Sequence, residues 1–263
     1  IDPVTLDIIE NALRNARIEM DATLVRTAMS PGIREQGDAF PLIADHTGKM
    51  IVGQFGSFIG GFLDNYAGTL EDGDMIFLSD PYSVQGAISH SNDWLVLLPV
   101  FKDGRLIAYT SMFGHQSDIG GMVPGSMPIH ATSIFQEGVR IPPVKIYKNG
   151  LYNEDLVKLV MHQSRTPEWC TADLNALIAS CRVAARRVEE MAARFGDDIF
   201  VAATDLLLER LRDLGADITA EVLPFIGHEV HSELIKILVE RLRNHVPQRT
   251  WNQAMQAAKA QQG

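Results

Sequence analysis

The chain has 263 residues, 46% of them hydrophobic and 21% charged, and a formal net charge of −10. That acidic balance argues against nucleic acid or an anionic membrane as a partner, because phosphate and anionic headgroups would repel it. No apolar run approaches the roughly 18 residues that a membrane span needs, and no signal-peptide pattern is seen. The two cysteines, Cys170 and Cys181, fall on one expected helix and too far apart for a disulfide, so a cytoplasmic location is expected.

Asp2-Pro3 opens a long helix: the aspartate accepts from free N–H groups and proline suits the first turn. Leu6, Ile9, Leu13, Ala16, Met20 and Leu24 then recur every three or four residues as one buried face, and Ser30-Pro31-Gly32 ends the helix. Residues 33–38 read as a charged loop in which Arg34 and Asp38 either position a polar substrate or form a solvated ion pair. Phe40 to Ala44 and Met50 to Val52 make a β-hairpin with His46 exposed at its turn. The glycine-rich stretch from Gly53 to Phe62 contains neither a dinucleotide fingerprint nor a Walker pattern, so any ATP used is expected on another polypeptide. A short helix is expected from Leu63 to Leu70, then a buried strand from Met75 to Ser79 ending at Asp80-Pro81.

The chemistry collects between Asp80 and Ser126. Two apolar runs rich in β-branched and aromatic residues, Trp94 to Phe101 and Leu106 to Phe113, flank the turn Lys102-Asp103-Gly104-Arg105 and predict a hairpin. Folding at residues 103–104 sets position 93 opposite roughly position 114. His90 and Asp93 lead into the first strand while His115 and Asp118 leave the second, so all four gather at one open end. Two imidazoles and a carboxylate are a ligand set for Zn²⁺, Mn²⁺ or Fe²⁺. Taken singly, each would more ordinarily face solvent or cap a turn. Glu137 is a candidate acid or base, against the plainer reading of a surface-turn carboxylate.

A short strand follows from Val144 to Tyr147, and from residue 151 the pattern becomes helical: 154–163, a long helix after Thr166-Pro167 closed by Gly196, 197–214, and 228–246. His228 and His231 lie three apart with no third ligand nearby, and the tail from Pro247 reads as frayed or partner-bound. The expected fold class is α+β: a hairpin-rich metal-site domain over 1–150 packed with a long N-terminal helix, followed by a helical region over 151–263.

These motifs together resemble the B subunit of the hydantoinase and oxoprolinase family, to which the metal-bearing subunits of acetone and acetophenone carboxylases are also similar. The match rests on Asp2-Pro3-Val4-Thr5, Arg34-Glu35 with Asp38, Asp80-Pro81-Tyr82, His90-x-x-Asp93 and Pro99-Val100-Phe101. It continues through Gly114-His115-x-x-Asp118-Ile119-Gly120-Gly121, Pro124-Gly125-Ser126, Gln136-Glu137-Gly138 and Ile141-Pro142-Pro143, then weakly through Asp173-Leu174-x-Ala176 to about Gly196.

The resemblance implies a divalent metal, Mn²⁺ or Zn²⁺ with Fe²⁺ as a further option, held by His90, Asp93 and His115. It also implies an A-type partner of actin-like fold that binds ATP with Mg²⁺ and phosphorylates a carbonyl oxygen of a small-molecule substrate, hence a hetero-oligomer. The activated species is then hydrolysed, if a cyclic amide, or carboxylated, if a ketone; a non-catalytic assembly subunit is the alternative of another class. Within that frame Asp118 is expected to hydrogen-bond a ligand imidazole. Two departures stand out. His90 lies ten residues after Asp80, where hydrolase members have a shorter Asp-Pro-x-x-Gly-Gly-x-His connection. Family B subunits are also much longer, and residues beyond about 200 do not match.

Overall fold

The computed structural model describes residues 1–53 and 57–213, all within the compact unit Ile1–Phe225. The expected helix over 228–246, with His228 and His231, and the tail lie outside the described residues. Helix α1, Pro3–Thr27, starts as its sequence dictates: the Asp2 side chain accepts from the Thr5 N–H at 3.0 Å and proline fills the first turn. Its six expected core residues are all buried. A second short helix, α2 (Pro31–Gln36), occupies what the sequence suggested was a loop. Pro31 opens it, and Gly37 closes it in the left-handed region at φ 68°.

Seven strands form one antiparallel sheet: β1 (Ala39–Asp45), β2 (Met50–Val52), β3 (Met75–Leu78), β4 (Asp93–Lys102), β5 (Arg105–His115), β6 (Val144–Lys148) and β7 (Leu151–Tyr152). Their order is β2-β1-β5-β4-β3-β6-β7, so the long β4–β5 hairpin is central. Helices α4 (Glu154–Met161), α5 (Pro167–Phe195) and α6 (Asp197–Asp213) follow. The fold is α+β, as the periodicities implied. Strand β7 interrupts the expected passage from turn to helix, because Leu151 and Tyr152 pair back onto β6 before Asn153 caps α4.

Two apolar layers sandwich the sheet. On one face Trp94, Val96, Ala108 and Met112 pack with α1 and α5. On the other Leu95, Leu97 and Tyr109 pack with α3 (Ile59–Asn65). Helix α3 begins four residues earlier than the sequence suggested and includes two glycines. The Gly61 position explains why: a Cβ there would sit 2.7 Å from the Val84 carbonyl, so only glycine lets α3 approach the 3-10 turn Pro81–Val84. His46 is half-buried at its turn rather than exposed. Both cysteines are buried and free. No helix among the described residues is long and apolar enough to cross a membrane.

Candidate metal centre

The hairpin register decides which side chains meet. Near the turn Lys102 pairs with Arg105 and Phe101 with Leu106, but from Val100 opposite Ala108 onward the pairing has slipped by one. Ile107 is the inserted residue of this β-bulge, and Ile107 and Ala108 consequently both bury on the helical face. Asp93 therefore opposes His115, not Gly114. The slip matters because side chains alternate faces: without it, Asp93 and His115 would point to opposite sides of the sheet.

The row extends onto a third strand. Ala39 pairs with Gly114, and the His115 N–H donates to the Asp38 carbonyl at 3.0 Å, so Asp38, His115 and Asp93 lie abreast at the end of β1, β5 and β4. His115 Nδ1 is 3.2 Å from Asp93 Oδ1 and 3.6 Å from Asp38 Oδ2. His90 reaches in from the turn before β4, its Nε2 3.5 Å from Asp93 Oδ2, with the two imidazole rings 5.0 Å apart and nearly edge-on.

Hydrogen bonds and close packing from the surroundings brace this arrangement. Asn92 and Gln116 prolong the ladder one step beyond the row, with the Gln116 N–H donating to the Asn92 carbonyl at 2.9 Å and Asn92 Nδ2 donating to the Gln116 carbonyl. Helix α2 packs its Gly32 against His115. Gly114 permits that approach, since a Cβ on it would meet Ile33 Cδ1 at 2.8 Å and Leu177 Cδ2 at 3.3 Å. Asp173 of α5 secures the start of α2: its carboxylate accepts from the Met29 and Ser30 N–H groups and from the Ser30 hydroxyl. The Ser30 oxygen in turn accepts from the Ser117 N–H, just past His115.

His90, Asp93 and His115 offer ligand atoms that all lie within 4.8 Å of one another. With metal–ligand bonds of about 2.0–2.2 Å, tetrahedral neighbours stand roughly 3.3–3.6 Å apart. The His90–Asp93 separation of 3.5 Å falls in that range and the His115–Asp93 separation of 3.2 Å just below it, each to a different Asp93 oxygen. Two imidazoles and the Asp93 carboxylate make an N,N,O set suited to a borderline divalent cation, with the Asp38 carboxylate alongside. Beside it, Ser91 Oγ, Asn92 Oδ1 and Gln116 Oε1 are buried without hydrogen-bond partners among the described residues, as in sites that take water or a small ligand. The residues fit such an ion.

The other expected site residues are distributed differently. Asp118 does not reach an imidazole. Its oxygens accept from the N–H groups of Gly120, Gly125 and Arg165 and from the Arg165 guanidinium at 3.0 Å. These donors hold its carboxyl below the usual range against the opposing effect of burial. The carboxylates beside His115 are Asp93 and Asp38. Asp38, expected among substrate contacts, thus stands within the cluster, whereas Arg34 is exposed on α2. Glu137 accepts from the Ser91 N–H at 3.3 Å, adjacent to His90. Burial raises its carboxyl above the usual range, partly offset by that bond. The Asp38–His115–Asp93 row was not foreseen; Asp38 standing just ahead of an apolar strand was the available signal.

The caprolactamase subunit beta of Pseudomonas jessenii is 35% identical over 219 residues, covering 78% of this chain and 37% of that protein. The acetophenone carboxylase delta subunit of Aromatoleum aromaticum is 31% identical over 172 residues, covering 62% of this chain and 25% of that one. The crystal structure of the ATP-dependent caprolactamase from Pseudomonas jessenii superposes with a TM-score of 0.72 at 31% identity, over 84% of this chain and 40% of that chain. The chain therefore spans well under half the length of these relatives. The family model for hydantoinase B/oxoprolinase matches residues 2–222, and with it the chain belongs to the hydantoinase B/oxoprolinase family.

Proposed function

We propose that the chain is the metal-bearing part of an ATP-dependent complex that hydrolyses a phosphate-activated cyclic amide, a lactam or imide. The observation that carries this reading is the convergence of His90, Asp93 and His115 on a common point. The similarity to a caprolactamase, an enzyme named for a lactam, supports the substrate class. A divalent ion held by His90, Asp93 and His115 supplies Lewis-acid chemistry, polarising an oxygen and acidifying water.

The chain's own residues supply the rest. Asp38 stands beside His115, 3.6 Å from its Nδ1, and adds negative charge that favours a cation there. Glu137, with its raised carboxyl pKa, is suited to take a proton from attacking water and return it to the departing nitrogen. Asp118 fixes the loop through Gly120 and Gly125 and thereby one wall of the site. Arg34, exposed on α2 beside Gly32, is assigned to the substrate's polar end. ATP with Mg²⁺ belongs to an A-type partner subunit in a cytoplasmic hetero-oligomer.

A second reading, carboxylation of an activated ketone, is favoured by the ten-residue connection from Asp80 to His90 and by the likeness to an acetophenone carboxylase subunit. The test is to purify the native complex, measure metal per chain, and assay ATP hydrolysis with cyclic amides and with ketones plus bicarbonate. About one transition metal per chain and ATP turnover stimulated by cyclic amides are expected. Stimulation by ketone and bicarbonate alone selects the second reading; a metal-free chain that still assembles points to a non-catalytic assembly subunit.

A further inference from the structure

Helix α1 carries a buried apolar stripe and, on its solvent face, a second stripe of five apolar residues and two asparagines that the described fold does not use. The buried stripe, Leu6 to Leu24, faces α5 and the sheet. The other runs from Val4 through Ile8, Asn11, Asn15, Ile18 and Ala22 to Val25, with spacings that alternate four and three. All seven are exposed, Val4 at 67% and Ile18 at 58%. A solvent face normally carries polar residues and good helix formers; four β-branched residues in heptad register instead mark a coiled-coil seam.

We propose that this seam pairs two copies of the chain, with their α1 helices parallel about a two-fold axis. Charge selects this occupant and this orientation. Arg14 and Asp21 flank the seam on one side, Glu19 and Arg26 on the other. In a parallel pair, flanking residues five apart meet across the interface, so Arg14 faces Glu19 and Asp21 faces Arg26, each twice by symmetry and each with opposite sign. Within one chain Arg14 already pairs with Glu10, Asp21 with Arg17 and Glu19 with Arg187, all at least partly exposed, so the cross-interface pairs form by exchange of these weak contacts. An antiparallel pair would retain complementary contacts only between Arg14 and Asp21 and would stack Asn15 on Ile18. The parallel pair sets Asn15 against Asn15 and Asn11 against Asn11, polar layers that fix register at some cost in affinity.

The seam is small. A helix of this length is about 37 Å long and about 10 Å wide, which gives a footprint below the ~800 Å² per partner of a stable interface. A reversible dimer with a Kd on the order of micromolar is expected.

Sedimentation velocity on the full chain across a concentration series tests this. The wild type should shift from monomer to dimer in the micromolar range, and Ile18→Glu should raise Kd on the order of tenfold or more with unchanged thermal stability, because Ile18 is exposed in the monomer. Asp21→Lys should weaken the dimer, and Asp21→Lys with Arg26→Asp should restore it. Asn15→Cys should give a disulfide-linked dimer under mild oxidation, assignable because both native cysteines are buried. A chain that stays monomeric throughout, or a dimer indifferent to Ile18→Glu, overturns the interface. A dimer that Asn15→Cys never cross-links overturns the parallel arrangement. Because α1 is read independently of the metal site, these outcomes do not depend on the proposed activity.

Discussion

Replacing Asp118 by asparagine puts a donor where the fold presents only donors. In its best orientation the amide oxygen keeps the Gly120 and Arg165 N–H groups, while the NH₂ faces the Gly125 N–H, 2.9 Å from the present oxygen, and the Arg165 guanidinium. A buried donor left unsatisfied costs about 1–3 kcal/mol. The guanidinium is 42% exposed and retains the carbonyls of Gly120, Gly121 and Val123, so its loss is screened to about 0–1 kcal/mol. Together these give about 1–4 kcal/mol, and at roughly 2–4 °C per kcal/mol for a domain of this size Tm should fall by about 2–16 °C.

The pH dependence has a definite sign. The folded carboxyl titrates below its unfolded value, so the stabilisation is complete well above the ordinary aspartate value of 3.8 and disappears as pH falls through the folded pKa. The gap between wild type and Asp118→Asn should therefore be constant near neutrality and close in acid. Calorimetry at a series of pH values, paired with metal analysis, is the assay. Metal content should be unaffected, because Asp118 touches none of the cluster. A variant that loses metal while its Tm stays within about 2 °C of wild type would refute the loop-anchoring role and return Asp118 to the imidazoles.

Three further outcomes are expected. His90→Ala or His115→Ala should each lower metal affinity by well over the 10–100-fold typical of losing a supporting contact, as read by competition with a chromophoric chelator, while helical circular dichroism is retained. Glu137→Gln should reduce turnover by about 10²–10⁴-fold and abolish the acid limb of the rate profile; because burial raises the carboxyl above the usual range, wild-type activity should rise with pH to a midpoint above the ordinary glutamate value of 4.5, and a limb that survives the substitution excludes Glu137 as the base. Gly114→Ala forces a methyl against Ile33 and Leu177, so a loss of about 1–3 kcal/mol is expected in urea unfolding, accompanied by weaker metal binding as α2 is pushed off His115. Unchanged stability would show that α2 yields freely.

Local order was legible wherever the signal was itself local. The α1 stripe from Leu6 to Leu24, its Asp2-Pro3 cap, the paired apolar runs of β4 and β5 and the Gly196 stop all appear where sequence periodicity and cap chemistry put them. The misses share a cause as well. Helix α3 runs through Gly60 and Gly61 because of a close approach to Val84, which no propensity encodes. Asp118 meets Arg165 across 47 residues, and its own neighbourhood in the chain gives no hint of that partner.

Residue types and their order determined by themselves that two imidazoles and a carboxylate would come to one end of a hairpin, and that the chain resembles the hydantoinase B/oxoprolinase family. Only the tertiary structure decided which face of the sheet they share. One inserted residue at Ile107 reverses the alternation of every side chain beyond it, and pairing with β1 then adds Asp38 to the row. The physical reason is that strand propensity constrains a residue's conformation, while register is a relation between strands and is settled by the packing of both sheet faces.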